Sequence, residues 1–139
     1  MDAERAKDIV LNKMLAKDAF SKWLGIEVTS IGQGQCTLQM VVSDQMTNGF
    51  GIAHGGIAYS LADSALAFAA NSHGQQAVSI ETQISHLRKV SIGDTLVATA
   101  IEINRNRSLG VYEVSIHNQD NKPIAHFKGT VYLTGNDWD

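Results

Sequence analysis

The chain has 139 residues, 44% of them hydrophobic and 18% charged, a balance that suits one globular domain over residues 1–139 and excludes disordered and fibrous classes. Its net charge of −3, without any run of Lys or Arg, argues against a nucleic-acid partner, because a phosphate backbone needs a concentrated basic face. The opening MDAERAKDIV lacks an apolar stretch with a small-residue cleavage site, and no window is apolar enough for a membrane span, so a cytoplasmic protein without membrane contact is expected.

From residue 2 to about Leu24, apolar residues recur at helical spacing (Ile9, Leu11, Met14, Leu15, Phe20, Trp23, Leu24), which predicts an amphipathic helix broken near Lys17 and stopped by Gly25. IEVTSIG and QCTLQMVVS, split by Gly32 and Gly34, predict a β-hairpin. Cys36 lies in that hairpin and reads as a small core residue; as the single cysteine it excludes an internal disulfide. The five histidines, at 54, 73, 86, 117 and 126, show neither HxxxH spacing nor pairing with cysteine, so no metal is assigned.

After the loop DQMTNGFGIAH comes GGIAYSLADSALAFAANS, Gly55 to Ser72, rich in Ala and Leu and closed by His73-Gly74 as a helix C-cap. Its apolar residues cover most of the circumference, the pattern of a helix that other elements must wrap. The wrapper follows as AVSIETQISHL, DTLVATAIEI, GVYEVSIHN and KPIAHFKGTVYL, four strand-like segments whose short connections favour antiparallel pairing. Tyr112, Val114 and Ile116 alternate with polar residues, so each strand has one inner face.

Asp63 stands out within the long helix. It lies eight positions after Gly55, too deep for a cap and beyond the first turn, where the helix dipole favours a carboxylate. A buried ionised carboxylate needs pairing, hydrogen bonds or a raised pKa. One reading puts Asp63 on a polar stripe with Ser60 and Ser64, or in a bridge to a basic residue. The other is chemical, because NGFGIAHGG leads straight into the same helix, whose N-terminal N–H groups suit a polarised carbonyl or an oxyanion.

Taken in order, Asn48, His54-Gly55-Gly56 and Asp63 resemble the motif of the hotdog-fold thioesterases, particularly the PaaI-like phenylacetyl-CoA thioesterase family. The likeness runs through LGIEV, QMTNGFGIAHGGIAYSLADSALAFAANSHG and HLR followed by GDTL, nearly the whole chain. It implies an α+β hotdog fold, a curved antiparallel sheet wrapped round one long central helix, and dimers, commonly joined as tetramers, with active sites shared between subunits. The substrate implied is an acyl-CoA, with coenzyme A as part of the substrate and no separate cofactor.

By the same resemblance, the Gly55 N–H polarises the thioester carbonyl while Asp63 of the partner subunit attacks it or activates water. Asn48 holds the acyl carbonyl or the water, His54 fixes the loop, and Ser79 orients the water. The chain departs from the family where relatives often read FLRP and it has His86-Leu87-Arg88-Lys89. Ala67 stands where some other hotdog thioesterases, which use Glu in place of Asp63, carry a hydroxyl, so this chain follows the Asp subtype. Coenzyme A carries three phosphates, and Arg88, Lys89, Arg105 and Arg107 are the candidate cations, against the alternative that each is a solvated charge in a turn.

Three other readings compete. A hotdog dehydratase or hydratase would pair a catalytic His with an acid in a different arrangement. A non-catalytic acyl-CoA-binding module of the regulator type would need an attached DNA-binding element, for which the N-terminal helix is too small. A scaffold dimer would leave Asp63 incidental, and an intrasubunit salt bridge holding Asp63 away from Gly55 would favour it.

Overall fold

A computed structural model describes residues 3–139; the expected start of the first helix at residue 2 lies outside them. The N-terminal segment is not one helix but four short pieces: α1 (Ala3–Lys7), a π-helical stretch Asp8–Met14, a 3-10 turn Leu15–Lys17, and α2 (Ala19–Trp23). The break falls at Asp18, one residue past the expected place, because Asp18 leaves helical geometry and its carboxylate caps α2 by accepting from the Ser21 N–H at 2.9 Å. Gly25, at φ +74°, supplies the left-handed residue that ends α2.

Six strands follow: β1 (Glu27–Gly32), β2 (Gln35–Val41), β3 (Gln75–His86), β4 (Thr95–Arg105), β5 (Leu109–His117) and β6 (Pro123–Asp137). They form one antiparallel sheet in the order β1-β2-β4-β5-β6-β3. The hairpin β1–β2 and the meander β4–β5–β6 are sequential neighbours, as the short connections require. The third strand is not: the helix carries the chain across the sheet, so β3 pairs with β6 and forms an outer edge.

The central helix α3 (Gly55–Asn71) lies in the concave face of this sheet, packing on β2 through β6. Ala58, Leu61, Ala62, Ala65, Leu66, Phe68, Ala69 and Ala70 are buried against Cys36, Leu38, Met40, Leu96, Ala98, Ala100, Tyr112, Val114, Ile116, Phe127 and Val131. Small residues on both sides bring the backbones close. A β-carbon on Gly129 would stand 2.5 Å from Leu66 Cδ2, so any larger residue there would force Leu66 to move. Cys36 is buried in this layer, its Sγ–H donates to the Ala65 carbonyl at 3.2 Å, and burial pushes the thiol up to about 12.

Polar residues close the far end of α3. Asn71 is buried and fully used: Nδ2 donates to the Ala67 and Ala77 carbonyls at 2.8 and 3.1 Å, and Oδ1 accepts from the Ala77 N–H and Trp138 Nε1–H, both at 2.9 Å. One side chain thereby ties the helix, the start of β3 and the C-terminal segment together. Nearby, the Tyr112 hydroxyl and His73 Nε2 both meet Glu102 Oε1, at 2.8 and 2.7 Å, and burial raises the Tyr112 pKa.

Candidate active site

Helix α3 carries chemistry at two places. At its N-terminus a cavity of about 390 Å³ is lined by Asn48, His54, Gly55, His86, Arg88 and Lys89 above an apolar floor that includes Ile57, Val90 and Leu96. Two turns further on, a second cavity of about 290 Å³ is lined by Asp63, Leu66, Ala67, Ala77, Val78, Ser79 and Val131.

The first cavity is built by local hydrogen bonding. His54 is the N-cap of α3, in extended geometry (φ −62°, ψ 141°), and its Nδ1 accepts the Gly56 N–H at 2.8 Å. The Gly55 N–H, next to it, has no hydrogen-bond partner among the described residues, and Gly55 lines the cavity. Asn48 folds the preceding loop, with Oδ1 accepting from the Phe50 and Ile52 N–H groups at 2.9 and 3.4 Å. Two backbone donors fix which end of the amide is oxygen, so Asn48 has only its Nδ2 donors left for a ligand.

The segment after β3 forms the rim. The N–H groups of Leu87 and Arg88 both donate to the Ile124 carbonyl, at 2.8 and 3.3 Å, while the Val90 carbonyl accepts from Ala53 at 2.9 Å. Lys89, where relatives often carry proline, uses no backbone N–H in this arrangement, so a proline there would cost the loop no hydrogen bond. Arg88 and Lys89 are exposed at the cavity mouth. Arg105 and Arg107 are elsewhere: they lie at the β4–β5 turn outside both cavity linings, and Arg105 donates to Gln75 Oε1 at 3.2 Å.

In the second cavity Asp63 is half-buried, and desolvation raises its carboxyl above the ordinary aspartate range. Among the described residues no group donates a hydrogen bond to it or pairs with it. The intrasubunit salt bridge that would have made it structural is therefore not formed. The neighbouring polar stripe is occupied at Ser64, which donates to Ser21 Oγ at 2.8 Å while the Ser21 hydroxyl donates to Asp18 at 2.7 Å. Ser79, the expected water-orienting hydroxyl, is exposed beside Asp63 in the same cavity.

Within one chain the sequence-predicted residues thus fall into two groups, Asn48, His54, Gly55, Arg88 and Lys89 in one cavity and Asp63 with Ser79 in the other. Eight residues of helix separate Gly55 from Asp63 by about 12 Å. His86 was not among the expected site residues, yet it lines the first cavity. Its signal was parity: it follows Thr82 and Ile84 at even spacing, and Thr82 hydrogen-bonds Tyr59 of α3, so this face of β3 looks onto the helix.

A sheet curved round one long helix, with an open helix N-terminus at one cavity and an unpaired carboxylate in another, defines a hotdog hydrolase architecture. Residues 50–125 match the sequence profile of the thioesterase superfamily. The acyl-coenzyme A thioesterase PaaI of Escherichia coli K12 is 42% identical over 122 residues, covering 88% of this chain and 87% of that protein. The structure of the E. coli PaaI protein from the phenylacetic acid degradation operon superposes with a TM-score of 0.94 at 38% identity, covering 97% of each chain. A mutant of the phenylacetic acid degradation protein PaaI from Thermus thermophilus gives a TM-score of 0.81 at 34% identity, covering 84% of this chain and 99% of that one.

The chain belongs to the thioesterase superfamily, with the hotdog fold. Within it, the chain groups with the PaaI-like acyl-CoA thioesterases. Among the described residues no helix is long and apolar enough to cross a membrane, and no group of His, Cys, Asp or Glu is placed to hold a metal ion.

Proposed function

We propose that this protein hydrolyses a small or medium acyl-CoA, an aryl-acetyl-CoA such as phenylacetyl-CoA or its hydroxylated forms, to the free acid and coenzyme A in the cytoplasm. The observation that carries the reading is the division of labour along α3: an open N–H at Gly55 and an unpaired, desolvated carboxylate at Asp63. The Gly55 N–H donates to the thioester oxygen as charge develops on it, assisted by the Asn48 amide donors. Asp63 either attacks the carbonyl carbon, expelling the coenzyme A thiolate and leaving a mixed anhydride that water hydrolyses, or takes a proton from attacking water, oriented by Ser79, with the C–S bond then breaking to release the thiolate. Arg88 and Lys89 hold coenzyme A phosphates at the mouth.

The two halves meet in a homodimer. Strand β3 is an edge with unpaired backbone groups and exposed Val78 and Ile80, a surface that invites strand addition. It runs from the Asp63 cavity, which Ala77 to Ser79 line, to the Gly55 cavity, which His86 lines. Antiparallel pairing of two β3 edges sets the start of one strand against the end of the other, which brings Asp63 of one subunit towards Gly55 of its partner. Two such dimers joined as a tetramer complete the assembly we infer.

The test is thiol release from a panel of acyl-CoAs that includes phenylacetyl-CoA and its hydroxylated forms, with Asp63→Asn alongside. Wild type should turn over and the variant should lose most of its activity, while still folding and binding coenzyme A, because the amide keeps shape without a nucleophile or base. Binding without turnover by wild type would instead favour the non-catalytic acyl-CoA-binding module.

A further inference from the structure

His86 is the last residue of β3, and its ring stands across from the first residue of α3. A β-carbon on Gly55 would lie 3.5 Å from His86 Nε2 and 3.6 Å from Cε1, so this edge of the imidazole faces the space that glycine leaves open. In the other histidine of the cavity, His54, Nδ1 is taken by the Gly56 N–H. The His86 ring has no hydrogen-bond or ion-pair partner among the described residues. Gly55, whose N–H is also without a partner among the described residues, lines the same cavity.

An oxygen accepting from the Gly55 N–H would sit beside a free imidazole nitrogen. In the Nε2–H tautomer the ring donates from that atom. Each further donor aimed at the same oxygen adds stabilisation as the charge forms. We propose that His86 Nε2–H is a further donor to the substrate carbonyl, a catalytic residue beside the Gly55 N–H and the Asn48 amide; this rests on the thioesterase reading above. Arg88 and Lys89, further out on the same rim, leave the phosphates to themselves and the carbonyl to His86.

Three substitutions separate this role from a structural one. His86→Phe fills the ring's space without a donor, His86→Ala removes the ring without crowding the cavity, and His86→Gln retains an amide donor near Nε2. With the best-hydrolysed acyl-CoA of the panel, Phe and Ala should lower kcat on the order of 10²-fold at unchanged KM and unfolding midpoint, and Gln should recover part of the loss. In an Asp63→Asn background, the infrared carbonyl band of bound phenylacetyl-CoA labelled at the thioester carbon should shift back towards its free-solution position when His86→Phe is added.

Full kcat in His86→Phe and His86→Ala overturns the proposal. So does a loss confined to KM with the carbonyl band unmoved, which would make His86 a coenzyme A contact. Wild type turning over with unaffected His86 variants removes only this inference. Wild type inert across the panel removes the thioesterase reading, and His86's role with it.

Discussion

The two ends of the first half of α3 are chemical opposites. The Gly55 end offers donors and positive charge: an open backbone N–H, the Asn48 amide, two histidines, and the Arg88–Lys89 rim. The Asp63 end offers one carboxylate and one hydroxyl among apolar side chains. A thioester needs both, an electrophile-activating half and a nucleophilic half, within contact of a single carbonyl carbon. A rigid helix holds them about 12 Å apart in one chain, so on the proposed reading a single copy carries two incomplete half-sites.

The sharpest way to break that comparison is to disable each half separately. Gly55 is the first helical residue and His54 before it is already extended, so Gly55→Pro deletes the key N–H while respecting the geometry that proline requires. It should lower kcat on the order of 10²-fold or more, with the helix content unchanged by circular dichroism. Refolding equal amounts of Gly55→Pro and Asp63→Asn subunits together should restore about a quarter of wild-type activity, because half the dimers are mixed and each holds one intact site. No recovery, with mixed dimers demonstrated, would place both halves of the site in one subunit.

Acid should separate the two halves next. Since desolvation raises the Asp63 carboxyl, kcat/KM should fall with decreasing pH through a value above the ordinary aspartate range, and Asp63→Asn should lack that limb. Stability runs the other way. The folded chain holds the Asp63 proton more tightly than the unfolded chain, so stability falls as pH rises from the ordinary aspartate value to the raised one, and stays lower above it. Asp63→Asn should therefore have a higher unfolding midpoint at neutral pH, a gain that disappears below the ordinary aspartate pKa; melts from about pH 3 to about pH 8 check it.

The smallest effects concern the rim. Arg88→Ala and Lys89→Ala should each raise KM several-fold with kcat unchanged. The same changes at Arg105 and Arg107, outside both cavity linings, should have weaker effects unless a partner subunit carries them to the site. Initial rates against coenzyme A esters at two salt concentrations read this, because charge contacts to the phosphates weaken with screening and a variant that lacks one should show a smaller salt dependence.

Much of this is legible in the chain itself. The Ala/Leu pattern from Gly55 onward, with no proline and a His-Gly close, can only be stable as a buried helix, and period-two alternation in Tyr112, Val114 and Ile116 marks an inner face. The ordered set Asn48, His54, Gly55 and Asp63 was legible through its resemblance to the hotdog thioesterases, while the glycine-rich lead into the helix marked the open N-terminus. The N-terminal segment is where periodicity misleads, reading as a helix with one break. Periodicity records which residues are buried and is blind to a capping bond such as Asp18 to Ser21, or to a widened π turn.

What tertiary structure alone decided is which distant residues meet. Strand order, with β3 carried past its sequence neighbours to pair with β6, depends on the helix crossing the sheet, a long-range choice with no local signature. That crossing sets His86 against Gly55 and gathers Asn71, Ala77 and Trp138 into one knot. It also leaves Arg105 and Arg107 away from the cavities that Arg88 and Lys89 rim. The residue order by itself determined the kinds of groups and their succession along each element; only the packing of those elements, through burial and steric fit across the sheet, set the distances on which the chemistry depends.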